Sequence, residues 1–200
     1  MNYLEMLGVH PRVQHFFNPY LTISCETLIF NYGNFIELAS EAFHRILITE
    51  ELWIAGDPKF ATNIFISSSA MDAIAFLNLY HQRFRKFDSL CFIGIGTAPS
   101  KSHAEIIQKY KLKKLHFIFS NNPLGAICDL KLASYIRNKP LKIGYHDYKF
   151  QLTFENKFYA FEQLSLNALE KASGYNFLIR THKPKNTSTY YEQLSNRHPA

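Results

Sequence analysis

The sequence predicts an α/β protein in which a mostly parallel sheet carries helices on both faces and follows a small, partly β region. From about residue 61, short apolar segments alternate with longer amphipathic ones, and the connections between them are short. Repeated strand–helix–strand units of this kind require parallel strands whose crossover helices cover the sheet. With 47% hydrophobic and only 19% charged residues, the chain can also fill the core that such a fold needs.

Residues 1–60 are predicted to form a partly β appendage. Strands are expected at 21–24 and 27–30, and a further strand within 43–54 ends at the turn containing Gly56 and Pro58. This region holds three Lys and Arg against seven Asp and Glu, a net charge of −4, whereas residues 61–200 carry 19 against nine, a net of +10. A basic body favours polyanionic partners, and a merely solvated cationic surface is the alternative.

Residues 61–182 are predicted to form the α/β domain, and residues 183–200 a polar tail. Strands are expected at 64–66, 89–95, 115–119, 141–145, 148–154 and 177–179. Helices are expected at 70–81, from 102 with a Ser102/Glu105 capping box, at 124–137, and at 160–173 before Gly174. Ligands of such sheets bind beyond the carboxyl ends of the strands, which singles out the loops 67–70, 94–102 and 120–125.

The motifs in these three loops follow one another in a familiar order. Residues 64–73 are a strand, a turn of small residues and Met-Asp-Ala, residues 94–97 are Gly-x-Gly-Thr, and residues 120–125 are x-Asn-x-x-x-Gly. This order resembles a topoisomerase–primase (Toprim) domain, and in particular the primase-like Toprim proteins of bacterial mobile elements. The resemblance implies a Toprim or Rossmann-like parallel sheet and a role in plasmid or transposon replication or mobilisation.

The chain departs from the Toprim pattern where that family performs chemistry. In the family, the first strand ends in Glu-Gly-x-x-Asp-Ala and a later strand ends in Asp-x-Asp-x-x-Gly. Asp72 and Gly125 match, but the glutamate is replaced by Ser68, and the two metal-binding aspartates are replaced by Ser120 and Asn122. The family uses these carboxylates for acid–base catalysis and for Mg²⁺, which neutral oxygens serve poorly. The resemblance therefore implies a degenerate site with no catalytic residue, no metal and no cofactor.

The residues that match also have purely structural explanations. Asp72 lies three residues after Ser69, a spacing that caps a helix N-terminus without any ligand. Gly125 can serve close packing of strand on helix, and the segment around Asn122 has ordinary turn chemistry.

Two segments are candidates for contacts with an anion or a DNA backbone. The first joins a buried strand to a helix N-terminus, where free N–H groups favour negative charge, although it matches neither common phosphate-binding motif. Its candidate residues are Gly94, Gly96, Thr97, Lys101 and Ser102. The second is a basic segment with aromatic neighbours, whose candidates are Arg83, Arg85 and Lys86. A tight turn and an amphipathic helix end are the respective alternatives.

The leading functional hypothesis is a catalytically inactive Toprim-like domain that binds DNA or a DNA-processing protein. One alternative is a diverged nuclease or phosphotransferase that uses Asp72 with a relocated Mg²⁺ ion, and another is a structural dimerisation or interaction module. Three isolated cysteines and no apolar run of membrane length favour a reducing cytoplasm without membrane association.

Overall fold

The computed structural model describes residues 2–196, and the chain begins with two short helices followed by a four-stranded antiparallel sheet. The helices are α1 (Tyr3–Met6) and α2 (Pro11–Phe17), and a 3₁₀ turn at Asn18–Tyr20 leads into the sheet. Its strands follow one another in space as they do in sequence: β1 (Thr22–Ser24), β2 (Thr27–Tyr32), β3 (Phe35–Ala39) and β4 (His44–Arg45). The partly β N-terminal region is confirmed.

The rest of the chain alternates strands and helices. The first half contains β5 (Trp53–Ala55), β6 (Asn63–Ser67), α3 (Ala70–Tyr80), a 3₁₀ turn at His81–Arg83, β7 (Leu90–Gly94) and α4 (Lys101–Gln108). The second half contains β8 (Lys114–Phe117), α5 (Pro123–Ile136), β9 (Leu141–His146), β10 (Lys149–Phe154), β11 (Lys157–Phe161), α6 (Leu166–Ser173), β12 (Ile179–Thr181) and α7 (Tyr190–Ser195). No helix within residues 2–196 is long and apolar enough to cross a membrane.

Five strands form the main sheet in the order β12–β8–β6–β7–β5. β6, β7, β8 and β12 are parallel to one another, and β5 pairs antiparallel with β7 at one edge. The central strands β6 and β7 are almost continuously apolar because both faces of the sheet are covered. The predicted fold class, a mostly parallel sheet with helices on both faces, is confirmed.

Two hydrophobic cores lie on the two faces of this sheet. Phe65 of β6 and Phe92 of β7 point to the face covered by α2, α3 and α7. Ile64 and Ile93 point to the opposite face, which α4, α5 and α6 cover. The alternation along each strand distributes consecutive apolar residues between the two cores.

The N-terminal sheet shares the first of these cores. Phe30 and Trp53 pack with Phe17 and Phe92, and the Trp53 indole N–H donates to the carbonyl of Tyr20 at 2.8 Å. Because β5 also belongs to the main sheet, the predicted boundary between residues 60 and 61 does not coincide with a break in the sheet.

The segment 141–145 was expected as a further strand of the parallel sheet, and this expectation is wrong. It forms β9, which pairs antiparallel with β10, and β10 with β11, in a separate three-stranded sheet. Leu152 and Phe154 of β10 complete the core beneath α5 and α6. Short apolar runs do not themselves reveal which sheet they join, since strand pairing is set by distant packing.

Two helices begin at residues other than the expected ones, and one helix was not expected. The helix predicted from residue 160 begins at Leu166, because β11 takes the preceding residues. Helix α4 is capped by Ser100 with His103 as its partner, not by Ser102 with Glu105. The expected polar tail contains α7, whose Tyr190 and Leu194 are buried against α3. Residues 197–200 of that predicted tail lie outside the described part of the chain.

Candidate functional site

The three loops expected to carry a site meet at one edge of the main sheet, here called the carboxyl edge. β6 lies between β7 and β8, with Ser67 opposite Gly94 and Ile66 opposite Phe117. The loops that follow these three strands, at 67–70, 94–102 and 120–125, therefore emerge side by side. This is the placement that a parallel sheet requires.

Asp72 is held by protein groups at the start of α3. Its backbone N–H donates to Ser69 Oγ at 3.0 Å, and Ser69 Oγ donates to Asp72 Oδ2 at 2.9 Å. Asp72 Oδ1 accepts from the backbone N–H of Tyr191 at 3.0 Å. Burial raises the pKa of the carboxyl, against the lowering effect of these donors. Asp72 thus joins α3 to α7, while half-buried Ser68 precedes the cap.

A buried glutamate from the N-terminal sheet occupies the N-terminus of α3. Glu37 Oε2 accepts from the N–H of Ala70 at 2.8 Å and from the Tyr32 hydroxyl at 2.7 Å. Glu37 Oε1 accepts from the N–H of Met71 at 3.2 Å and lies 2.8 Å from His44 Nε2. A carboxylate at this position satisfies free helix N–H groups and complements the positive end of the helix dipole. The α3 N-terminus is therefore filled from within the chain.

Two predicted residues of the loop after β8, Asn122 and Gly125, have structural uses. Asn122 caps α5, its Oδ1 accepting the N–H of Gly125 at 2.9 Å. A Cβ on Gly125 would lie 2.0 Å from the carbonyl oxygen of Ser120, so only glycine permits this close approach. The structural explanations of Asn122 and Gly125 hold.

A lysine ammonium lies on the same loop. Lys183 Nζ donates to the carbonyls of Phe119 at 3.3 Å and Ser120 at 3.0 Å, and it lies 2.7 Å from Asp129 Oδ2. Asp129 is buried on α5, and its Oδ1 has no hydrogen-bond partner among the described residues. Burial raises the pKa of this carboxyl to about 6, although the ammonium acts to lower it. The Lys183 ammonium therefore supplies a positive charge at the carboxyl edge.

The residues at the carboxyl edge do not fit the Mg²⁺ ion that the Toprim resemblance implies. Ser68, Ser120 and Asn122 supply neutral oxygens, and the Asn122 side chain is used as a cap. The Lys183 ammonium would repel a divalent cation at the Ser120 loop. Within residues 2–196, no three His, Cys, Asp or Glu side chains lie close enough together to hold a metal ion.

Several donors of the loop 94–102 are already used within the protein. The N–H of Thr97 donates to the carbonyl of Leu47 at 2.9 Å, and the N–H of Ser100 to His103 Nδ1 at 3.1 Å. Ser102 Oγ donates to Glu50 Oε2 at 3.2 Å, whereas Lys101 is exposed.

Both glycines of this loop are enclosed by neighbouring groups. Gly96 has a φ of +75°, and a Cβ there would lie 2.5 Å from the Leu47 carbonyl. At Gly94, a Cβ would lie 2.3 Å from the Tyr32 hydroxyl. The tight βα turn is the explanation that these contacts favour, and anion binding at the loop stays a prediction.

We call Arg83, Arg85 and Lys86 the basic segment. It lies at the amino ends of the parallel strands, whereas Lys101 lies at their carboxyl ends. Helix α3 starts at the carboxyl edge and returns the chain to the amino end of β7, so residues beyond it lie at that end. The expectation of a single basic face at the carboxyl ends that includes both groups is therefore corrected. Instead, Arg83 lines a cavity together with Arg180 of β12. All three basic side chains are exposed.

Sequence reasoning missed Glu37 and Asp129, and no local signal marks either of them. Glu37 stands in an ordinary alternating strand, and its role depends on the packing of the N-terminal sheet against a helix 33 residues away. Lys183 falls within the segment that the sequence predicted as a polar tail. Its ion pair with Asp129 joins residues from distant elements.

Comparisons with known proteins support the fold. The chain is similar in structure to the primase fragment of the bacteriophage T7 primase-helicase protein, with a TM-score of 0.51 and 10% sequence identity over 99% of this chain and 71% of that chain. No family model matches the sequence, and no curated protein matches it. At this identity the likeness establishes a related α/β fold and leaves the activity open.

Proposed function

We propose that this chain is a catalytically inactive Toprim-like protein that binds DNA. The observation that carries the proposal is the state of the carboxyl edge, where Glu37 fills the α3 N-terminus and the Lys183 ammonium covers the Ser120 loop. Phosphoryl transfer at this edge would need carboxylates free to hold a metal and exchange protons. At this edge Glu37 and Asp72 are committed to internal hydrogen bonds, and Asp129 is paired with the Lys183 ammonium.

The support for DNA as the ligand is the fold likeness to a primase fragment together with the distribution of charge. Residues 61–200 carry a net charge of +10, and the basic segment is exposed beside Arg180. Guanidinium and ammonium groups bind phosphates with release of counterions, irrespective of base sequence. The mobile-element context, in plasmid or transposon replication, comes from the Toprim resemblance alone.

The test is fluorescence anisotropy with labelled single- and double-stranded DNA across a salt series, with and without Mg²⁺. Binding should weaken steeply with salt and be indifferent to Mg²⁺. Replacing Arg83, Arg85 and Lys86 together by alanine should weaken binding and reduce the slope of log K against log salt by about 2–3 for double-stranded DNA. The matched control replaces Lys142, Lys149 and Lys157, three exposed lysines of the β9–β11 sheet, and should change little.

Each arm of this experiment can contradict the proposal. Equal losses in the two triple variants would mean that the net charge, not the basic segment, produces binding. Binding or DNA cleavage that requires Mg²⁺ and disappears in Asp72→Asn would favour the diverged metal-dependent enzyme. If the protein does not bind DNA at low salt, DNA is excluded as its ligand. The structural dimerisation or interaction module is then the remaining hypothesis.

A further inference from the structure

A second site is suggested by a cavity of about 310 Å³ on the α3 face of the main sheet. Its floor is formed by β6, β8 and β12, and its walls by the C-terminal part of α3 and by α7. It extends from Asn63, the first residue of β6, to Lys183, whose ammonium lies at the carboxyl edge. The cavity is at the lower end of the range for small-molecule pockets, about 300–1,000 Å³.

Aromatic rings stack along the floor of this cavity. The rings of Phe65 and His116 lie 4.6 Å apart at 21°, and those of His116 and His182 lie 5.2 Å apart at 29°. His116 Nε2 is 3.1 Å from Asn63 Oδ1, and its Nδ1 is 3.0 Å from His182 Nε2. Burial lowers the pKa of His116 to about 4 and also lowers that of His182. Near neutral pH both imidazoles are uncharged, and His182, the more exposed of the two, is the ring against which a planar group can pack.

Further aromatic side chains close the walls. Phe76, Tyr80, Phe84 and Tyr190 line the cavity, and the rings of Phe76 and Tyr190 meet edge to face at 5.1 Å.

Two arginines give the cavity a positive charge that the protein does not neutralise. Arg83 and Arg180 both line it, and within residues 2–196 neither has a carboxylate at salt-bridge distance. The Arg83 guanidinium lies 4.7 Å from the centre of the Tyr80 ring. Lys183 also reaches the cavity, but Asp129 pairs with it. Guanidinium groups without a carboxylate partner are well suited to binding a phosphate.

One buried polar group at the cavity lacks a partner. Tyr190 is 1% exposed, and its hydroxyl makes no hydrogen bond to any described residue. Burial raises the pKa of this hydroxyl, so it keeps its proton and can donate. Buried hydroxyl groups in folded proteins are normally satisfied, so an unsatisfied one at a cavity wall is a candidate ligand contact.

We propose that this cavity binds one nucleoside monophosphate unit. The base packs against the partly exposed rings of His182 and Phe84, the phosphate pairs with Arg83 and Arg180, and the Tyr190 hydroxyl bonds a polar atom of the nucleotide. The unit is either a free nucleotide or one nucleotide of a single strand, since both present the same ring and phosphate. The inference goes beyond the proposed function, because a free nucleotide can bind whether or not the chain binds DNA.

Isothermal titration calorimetry with 5′-AMP, adenosine and ribose 5-phosphate tests the site. AMP should bind at least about tenfold more tightly than either fragment, because only AMP engages both the rings and the guanidinium groups. Arg83→Gln with Arg180→Gln should weaken AMP binding by about tenfold or more. Tyr190→Phe, which keeps the ring, should weaken it about three- to tenfold. The control pair Lys142→Gln and Lys149→Gln should leave it unchanged.

A spectroscopic signature and a competition complete the test. In NMR spectra, AMP should shift the ring-proton signals of His116 and His182. The competition compares a short 5′-phosphorylated oligo-dA with free nucleotide as displacers of bound AMP. If the oligonucleotide displaces AMP at the lower concentration, the natural ligand is a single strand. If free nucleotide does so, the natural ligand is a free nucleotide. AMP affinity equal to that of ribose 5-phosphate, or unchanged in the double arginine variant, would overturn the proposal, as would no binding of AMP or oligonucleotide.

This site and the DNA surface can fail separately. Arg85→Ala with Lys86→Ala changes the basic segment without touching a residue that lines the cavity. This variant should weaken DNA binding and leave AMP binding unchanged. Tyr190→Phe should weaken AMP binding and leave the salt dependence of DNA binding unchanged.

Discussion

Glu37, which the sequence does not single out, links two parts of the fold. It is 1% exposed, yet it accepts from two backbone N–H groups of α3 and from Tyr32, and it contacts His44. A buried carboxylate is tolerated only when such donors replace its lost hydration. One side chain therefore joins the N-terminal sheet to the first turn of the helix on which the Asp72 cap is built.

Replacing Glu37 with glutamine should destabilise the protein. The amide keeps the shape but removes the charge from the helix N-terminus and turns one acceptor into a donor that faces N–H groups. The expected loss is about 2 kcal/mol in the free energy of unfolding. Urea denaturation measures it, with Glu41→Gln, at an exposed position, as the control. A Glu37 variant as stable as the control would show that the contact adds nothing.

At the residue scale, the sequence predicted the positions of the site but not its partners. Spacing placed Ser68, Ser120 and Asn122 at one edge, because parallel strands end together. It could not show that Lys183 or Glu37 reaches that edge, since each arrives from a different element far away in the chain. A capping pattern is local and readable, whereas a contact between distant elements leaves no local pattern.

Helix α7 shows the same limit at the scale of an element. Its residues are polar enough to suggest a tail, but Tyr190 and Leu194 lie on one face, four residues apart, and bury against α3. The backbone of Tyr191 holds Asp72, and the Tyr191 hydroxyl contacts that of Tyr3 in α1. A helix of six residues would not be stable alone, and its tertiary contacts hold it in place.

Truncating Leu194 should reveal how strongly α7 is held. Leu194→Ala removes a side chain that is 1% exposed and should cost about 2–4 kcal/mol of unfolding free energy. Asn196→Ala, at an exposed position just beyond the helix, should stay within about 0.5 kcal/mol of the original. Thermal and urea denaturation of both variants give the comparison. If the two variants are equally stable, the packing of α7 against α3 contributes little to the unfolding free energy.

At the scale of the whole molecule, the buried histidines should make stability depend on pH. Folded His116 binds a proton only near pH 4, whereas an unperturbed histidine does so near 6.5. Between these values the unfolded chain holds more protons, so the free energy of unfolding falls as the pH drops. Asp129, with its pKa raised from 3.8 to about 6, acts in the opposite direction over much of this range.

The contribution of His116 is isolated by comparing slopes. In His116→Gln the free energy of unfolding should fall less steeply between pH 6.5 and pH 4 than in the original chain. His15→Gln, at an exposed position, should keep the original slope. Urea denaturation across this range provides the values, and identical slopes in all three proteins would contradict the assignment.

The global architecture was the most predictable level. Alternating strand and helix patterns from residue 61 predicted the parallel sheet and the faces of its helices, because periodicity is a local property. The β9–β11 sheet was not predicted, since its first strand reads like any other short apolar run. The pairing of β5 with β7 and the packing of the N-terminal sheet against α3 were also not predicted. Both depend on contacts between elements that are distant in the sequence.

The bond between Asp72 and Tyr191 also has a consequence for the order in which the chain folds. It spans 119 residues, and the contact between Tyr3 and Tyr191 spans 188. Loop closure over such separations is slow compared with the formation of local helices and strand pairs. During synthesis, Asp72 therefore lacks this bond until α7 has left the ribosome. We expect the closing of α7 onto α3 to be among the last events of folding and the first to be lost on unfolding.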